Sequence, residues 1–297
     1  MTMLSSWRAL FVREYLEHRV AFQWVPLGIV ALLGLAGLSA LALDRIDLAD
    51  KVPFLPALKI FEIGYLLLLA LWMAYLAVSL FFYFGDAFSA DRRNNAMLFW
   101  KSMPVTDLKV LVSKMLAGLT MFPLMVLVVA MAAGLIWFLM LNITMYLVPG
   151  LLELSPLEAL VSFAQVSLFG IAYYALSLLW YAPFFAWVGG LSTVFGRWSL
   201  PLAFVVPGLL IAIENIIQFG SSGPRFGYIW RYIQSRFDFG LSEPDIALMM
   251  YGNGNFDPWL HLSRLVSRID WLQMGIGLAF AALVIWLASE YRRRRIA

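Results

Sequence analysis

The residues of this chain that could do chemistry are few, and most fall in one stretch. Tyr83–Lys114 reads YFGDAFSADRRNNAMLFWKSMPVTDLKVLVSK and carries Asp86, Asp91, Arg92, Arg93, Lys101, Asp107, Lys109 and Lys114 around an apolar centre, Met97-Leu98-Phe99-Trp100. Mixed charges about an aromatic knob suit the grip of one protein on another, because Trp, Tyr and Arg dominate interface hot spots. Asp86 and Asp91 are expected to flank the start of a short helix, where acids complement the N-terminal dipole. Pro104 ends it, since the residue before proline avoids the α region. Thr106 or Asp107 can cap the next helix. The alternative is an interfacial helix resting on lipid headgroups.

One further candidate is Glu214, followed by Asn215 near the far end of an apolar run. A carboxylate at membrane depth is costly and usually faces a protein interior for a reason. The pair is therefore a candidate part of a translocation path. The competing reading places Glu214 in the outer interface, a few residues from Gly220.

Other chemistries find no residues to use. There is no G-x-x-x-x-G-K-[ST] phosphate cradle and no H-E-x-x-H. Cysteine is absent, which removes disulfides, thiolate metal sites and a Cys nucleophile. The two histidines, His18 and His261, are expected on opposite sides of a membrane and so cannot share a metal. Neither an enzyme nor a metal or cofactor site is expected on this chain. The net charge of +3 is an orientation signal, not a nucleic-acid footprint.

The elements that must position these residues belong to a bilayer. Of 297 residues 63% are hydrophobic and 13% charged, against roughly 25% charged in soluble domains. Uncharged runs of about twenty residues predict helices, not barrel strands. The expected fold is an all-α integral membrane protein forming one transmembrane domain over 1–297. Its spans fall at about 22–43, 63–84, 115–141, 162–189, 200–219 and 271–289. Pro123 is a possible kink in the third, and Gly196 lies in a tight turn between the fourth and fifth. Residues 1–21, with Leu4, Trp7, Phe11 and Tyr15 at helical spacing, predict an N-terminal helix in the headgroup plane. Residues 85–114 form the polar loop between spans two and three.

Residues 220–270 form an outer loop in which Phe226, Tyr228, Trp230 and Phe237 interleave with Arg225, Arg231 and Arg236. That pattern predicts short outer interfacial helices before span six, serving as a gate or a cap. Arg264 and Arg268, four apart, predict a solvated or headgroup-facing surface. With six spans both termini share a side. That side holds 13 of the Lys and Arg residues and the other holds 8. The positive-inside rule then puts both termini and the polar loop in the cytoplasm.

The polar stretch also resembles the cytoplasmic loop of bacterial ATP-binding cassette permeases of the type-two exporter superfamily. The matching positions are Asp86, Asp91, Arg92, Arg93, Phe99, Trp100, Ser102, Pro104, Val105, Thr106 and Asp107. The likeness covers about a tenth of the chain; the remainder agrees in layout only. It implies a multi-pass permease of the bacterial cytoplasmic (inner) membrane whose loop is a coupling helix. It further implies a second permease copy or homologue and a dimer of separate cytoplasmic ABC ATPase subunits, which would bind ATP and Mg. The ATPase-coupling contacts expected are Phe99, Trp100, Lys101, Ser102 and Pro104, with Asp91, Arg92 and Arg93 as polar fixings. Membrane lipids are the other expected partners, and the export substrate would be hydrophobic, lipid-like, peptide or drug-like. The alternative function is a non-transporting membrane scaffold or sensor that anchors a cytoplasmic partner.

Overall fold

A computed structural model of the chain describes residues 3–43, 56–93, 106–147, 155–219, 227–237, 239–252 and 254–295. These residues form helices joined by short connections. α1 (Met3–Arg19) passes through a π turn, Val20–Trp24, into α2 (Val25–Ala42). The turn precedes Pro26, whose ring crowds the carbonyl four residues back. Val25 N–H reaches five residues back, to the Val20 carbonyl, and so widens the helix there.

The same device recurs before Pro123. α4 (Asp107–Leu116) and α5 (Phe122–Leu147) are joined by the π turn Ala117–Met121, with Phe122 N–H on the Ala117 carbonyl. The possible kink at Pro123 is thus a π turn. Between these two runs lies α3 (Ala57–Arg93), 37 residues without interruption.

α6 (Pro156–Phe195) begins where the Ser155 side chain accepts the Glu158 N–H. It ends at Gly196, whose φ of 57° is a left-handed conformation that glycine adopts without steric cost. One 3-10 turn, Gly196–Trp198, leads to α7 (Ser199–Ile217). Three short helices follow: α8 (Gly227–Phe237), α9 (Glu243–Tyr251) and α10 (Pro258–Arg268). The last is α11 (Trp271–Arg295).

Five helical stretches are long and apolar enough to cross a membrane: Ser6–Ala42, Ala57–Asp91, Asp107–Thr144, Pro156–Ile217 and Trp271–Arg295. The protein is a helical, multi-pass membrane protein. The fourth stretch has 62 residues and holds both segments that the sequence divides near Gly196. It folds back there, because Gly189 lies under Phe88 on the way in and Phe204 meets Phe81 on the way out.

α3 is the hub. α6 runs beside it in the same direction, with Ser167 on Tyr65, the Tyr174 hydroxyl donating to the Leu69 carbonyl, and Phe185 stacked on Phe84. α5 runs the opposite way, with Trp137 Nε1–H on the Phe61 carbonyl at one end and Gly118 against Phe84 at the other. α2 follows α5, from Phe22 stacked on Phe122 to Gly34 beside Ile136. Phe61, Tyr65, Trp72, Phe84 and Phe122 are all buried in the resulting core. Helix association inside a bilayer rests on close packing and hydrogen bonds, so small residues at such crossings matter more than added greasy surface.

The expected N-terminal helix is present over Met3–Arg19, but it is continuous with α2 and not set off from it. It runs along α4, with Ser6 bonded to Lys109, Glu14 to Lys114 and His18 edge-on to Phe122, while Val12 and Leu16 stay exposed. One further expectation needs correction: no new helix starts near Asp86 and Asp91. α3 continues to Arg93, so both acids lie in its last turns. The docking centre, 94–105, falls outside the described residues.

Candidate functional site

The polar stretch is rooted in a buried ion cluster. Asp91 ends α3 with its side chain wholly buried, and three cations from three other helices face it. Arg13 Nη2 of α1 lies 2.9 Å away, Arg292 Nη2 of α11 3.4 Å and Lys114 Nζ of α4 4.0 Å. Glu14 Oε1 sits 2.7 Å from Lys114 Nζ. The Tyr83 hydroxyl lies 2.9 Å from Glu14 Oε2 and 3.0 Å from the Lys114 carbonyl. Arg292 Nε reaches Asp107 Oδ1 at 3.4 Å, and Nη1 donates to the Phe88 carbonyl.

Three carboxylates thus face three cations, at a depth where a lone ion would cost several kcal/mol. Burial makes their mutual attraction strong and makes deletion of any one member expensive. The arrangement also has a mechanical meaning. Asp91 precedes residues 94–105, Asp107 follows them, and Arg292 holds both. At the second root Thr106 caps α4, accepting the Lys109 N–H at 3.3 Å. The end of α3 and the start of α4 are thus tied to α1 and α11 through one set of buried ions.

Directly above the cluster the two π turns meet. Phe22, inside the first, stacks on Phe122, which closes the second, at 4.1 Å between centroids. Tyr83 packs edge-on against Phe122 and against His18. π turns are uncommon and gather at functional positions. Here they place two locally widened helices side by side next to the charge cluster.

Of the residues singled out from sequence, Asp91 is at the centre of this site. Arg92 and Arg93 close α3. Phe99, Trp100, Lys101, Ser102 and Pro104 lie outside the described residues. Glu214 stands elsewhere and caps α8. The Tyr228 and Ile229 N–H groups donate to its two oxygens at 2.7 and 2.9 Å, and Gln218 Nε2 adds a third contact at 3.3 Å. Asn215 beside it is half-buried. The sequence reading did not single out Arg13, Glu14, Tyr83, Lys114 or Arg292 as a site. The only available signal was polar residues set along the flank of an otherwise apolar helix.

Glu14, Glu17 and His18 bring three donor atoms within 4.8 Å of one another, a spacing a metal could use. The donor set does not fit one. The Lys114 ammonium already occupies Glu14, and Arg13 Nε occupies Glu17 at 2.8 Å.

A second buried cluster marks the opposite end of α3. Glu62 pairs with Lys59 at 2.8 Å and accepts the Ser162 hydroxyl at 2.7 Å and the Phe256 N–H at 2.9 Å. His261 is buried against Phe256. Burial lowers its pKa, reinforced by Arg264 and Lys59 and opposed by Asp257 and Asp245. Arg264 and Arg268 do not form a merely solvated face. They converge on Asp245 at 2.9 and 3.4 Å, joining α10 to α9. Hydrogen bonds from the Ser242 side chain and from Arg264 lower the Asp245 pKa to about 2.

Glu62 and Asp91 are 29 residues apart on one helix, about 44 Å at 1.5 Å per residue. A bilayer with its headgroups measures about 40–45 Å. The separation of the two clusters thus matches the thickness of a bilayer with its headgroups. Comparison with known protein families, characterised proteins and solved structures finds no match to this chain.

Proposed function

We propose that this chain is the membrane-spanning permease subunit of an ABC-type exporter, driven by a separate cytoplasmic ATPase. On this reading it crosses the bilayer six times, with α6 and α7 as the fourth and fifth crossings. The ion cluster and both described chain ends then face the cytoplasm. The observation that carries the reading is the rooting of residues 94–105. Both flanks of the segment that resembles a coupling helix are tied, through Arg292, to α1, α3, α4 and α11.

The mechanism follows from that connection. ATP closes the partner dimer and displaces the segment carrying Phe99, Trp100 and Lys101. Asp91 and Lys114 pass the displacement to the first, second, third and last apolar helices together. The paired π turns at Phe22 and Phe122 lie one level deeper, where the backbone hydrogen-bond ladder is already widened, and serve as the hinge. The shift between inward and outward states is only as large as the difference in the partner's contacts with the two states.

The test is purification of the tagged chain in mild detergent from its native host, with identification of what accompanies it. An ABC ATPase is expected. Trp100→Ala is expected to insert and fold normally while substrate-stimulated ATPase activity falls at least tenfold. A kinase or assembly factor in place of the ATPase would favour a scaffold. Unchanged coupling in the Trp100 variant would overturn the docking role.

A further inference from the structure

Arg236, in the last turn of α8, is 1% exposed, and its hydrogen-bond acceptors among the described residues are uncharged. They are the Tyr232 hydroxyl at 3.3 Å, the Trp180 carbonyl at 3.5 Å and the Gln273 carbonyl at 2.6 Å. The guanidinium also lies 4.5 Å from the centre of the Trp180 ring. Among the described residues no carboxylate contacts this buried cation.

Beside it opens a cleft of about 340 Å³. Trp180, Leu265 and Ile269 form its buried apolar floor. Arg268 and Asp270 stand exposed at its rim, and Ser235 lines one side. Arg268 directs Nε to Asp245 but remains 47% exposed, and Asp270 Oδ1 accepts the Gln273 N–H as a helix cap. One cation, Arg268, and one carboxylate, Asp270, therefore line a space of headgroup size, with Arg236 buried behind Trp180.

The depth is that of lipid headgroups. The cleft lies where α11, the last membrane-crossing helix, begins. Trp271 and Leu272 at that point are 54% and 75% exposed, an aromatic and an aliphatic facing outward at the interface.

We infer that this cleft binds the zwitterionic headgroup of a phospholipid, of the phosphoethanolamine type. The ammonium meets Asp270, the phosphate faces Arg268 within the field of Arg236, and the acyl chains leave past Leu272. The inference needs only the membrane setting and stands apart from the exporter reading.

The test uses the purified full chain in a non-ionic detergent, with thermal unfolding followed by tryptophan fluorescence. Three probes are titrated: short-chain phosphatidylethanolamine, short-chain phosphatidylglycerol and water-soluble phosphoethanolamine. The expected result is dose-dependent stabilisation by phosphatidylethanolamine, half-saturating at a concentration at least tenfold below that for phosphatidylglycerol. Asp270→Asn, which can still cap α11, should abolish that preference. Ser235→Trp, at an exposed position that fills the cleft, should remove the response to both lipids while leaving the unliganded melt unchanged. Equal responses to the two lipids, or a response retained in both variants, would overturn the site. An equal response to phosphoethanolamine alone would overturn the assignment to a lipid.

Discussion

Lys114 and Glu14, a hundred residues apart in sequence, meet at 2.7 Å with both side chains almost wholly buried. Neither charge is tolerable there without the other. Among the described residues, Lys114→Met should leave Glu14 with only the Tyr83 hydroxyl and the more distant His18, and cost about 3–5 kcal/mol, the range for breaking one side of a buried pair. The double variant Glu14→Gln/Lys114→Met should recover most of that loss. Chemical unfolding in detergent, run as a double-mutant cycle, gives the coupling directly.

Arg292 differs from its neighbours in the C-terminal arginine run. It alone of Arg292, Arg293 and Arg294 is buried, whereas Arg293 and Arg294 pair with Glu290 in the open. Arg292→Gln should loosen both roots of the 94–105 segment. Amide exchange at Lys109, Val110 and the last turn of α3 is expected to accelerate at least tenfold. Arg293→Gln and Arg294→Gln should leave exchange at these amides unchanged, because their pairs with Glu290 are exposed and screened by solvent.

Gly118 sits where a Cβ would enter the Phe84 ring. Gly118→Ala is expected to cost about 1–3 kcal/mol by overpacking, despite the better helix propensity of alanine. Phe84→Leu should relieve part of the cost when combined with it. Thermal melts of the two single variants and the double variant decide the matter.

The outer cap is expected to respond to acid through His261. Its folded pKa is lowered, so the folded state resists a proton that the unfolded chain accepts below about pH 6.5. Stability should therefore fall as pH drops through about 6.5 and below, and His261→Phe should flatten that part of the profile. Asp245 acts in a separate window. With its pKa lowered from 3.8 to about 2, its contribution is fully present above pH 3.8 and is lost as pH falls towards 2. Tryptophan-fluorescence melts from pH 7.5 to 4.5 test the histidine arm without entering the aspartate window.

Much of the scaffold was legible because membrane helices announce themselves by uncharged length. The runs around α2, α3, α5, α6, α7 and α11, the cap at Thr106 and the turn at Gly196 were all readable. The boundaries were not. α3 carries Asp86, Asp91 and Arg93 as continuing helix, where local charge suggested a break, because the carboxylate of Asp91 is neutralised by groups from three other helices. Such partners lie 23 to 201 residues away along the chain and leave no local periodicity. α1 was legible as a helix, but its partners were hidden for the same reason: its polar side chains imply water until Lys114 and Asp91 are seen to receive them. Glu214 drew attention by its depth, yet its partners are the backbone N–H groups of Tyr228 and Ile229, which no side-chain pattern records. The chemistry of residues 99–104 stands where it began, on residue types and resemblance.

The rigid separation of Glu62 and Asp91 along one uninterrupted helix makes α3 a calliper. Its jaws are polar and buried in protein, so they cannot slide to suit a thinner or thicker sheet of lipid. The surrounding membrane must deform instead, or the whole helix must lean. A helix pinned in this way favours a membrane whose thickness matches the span between its two polar ends.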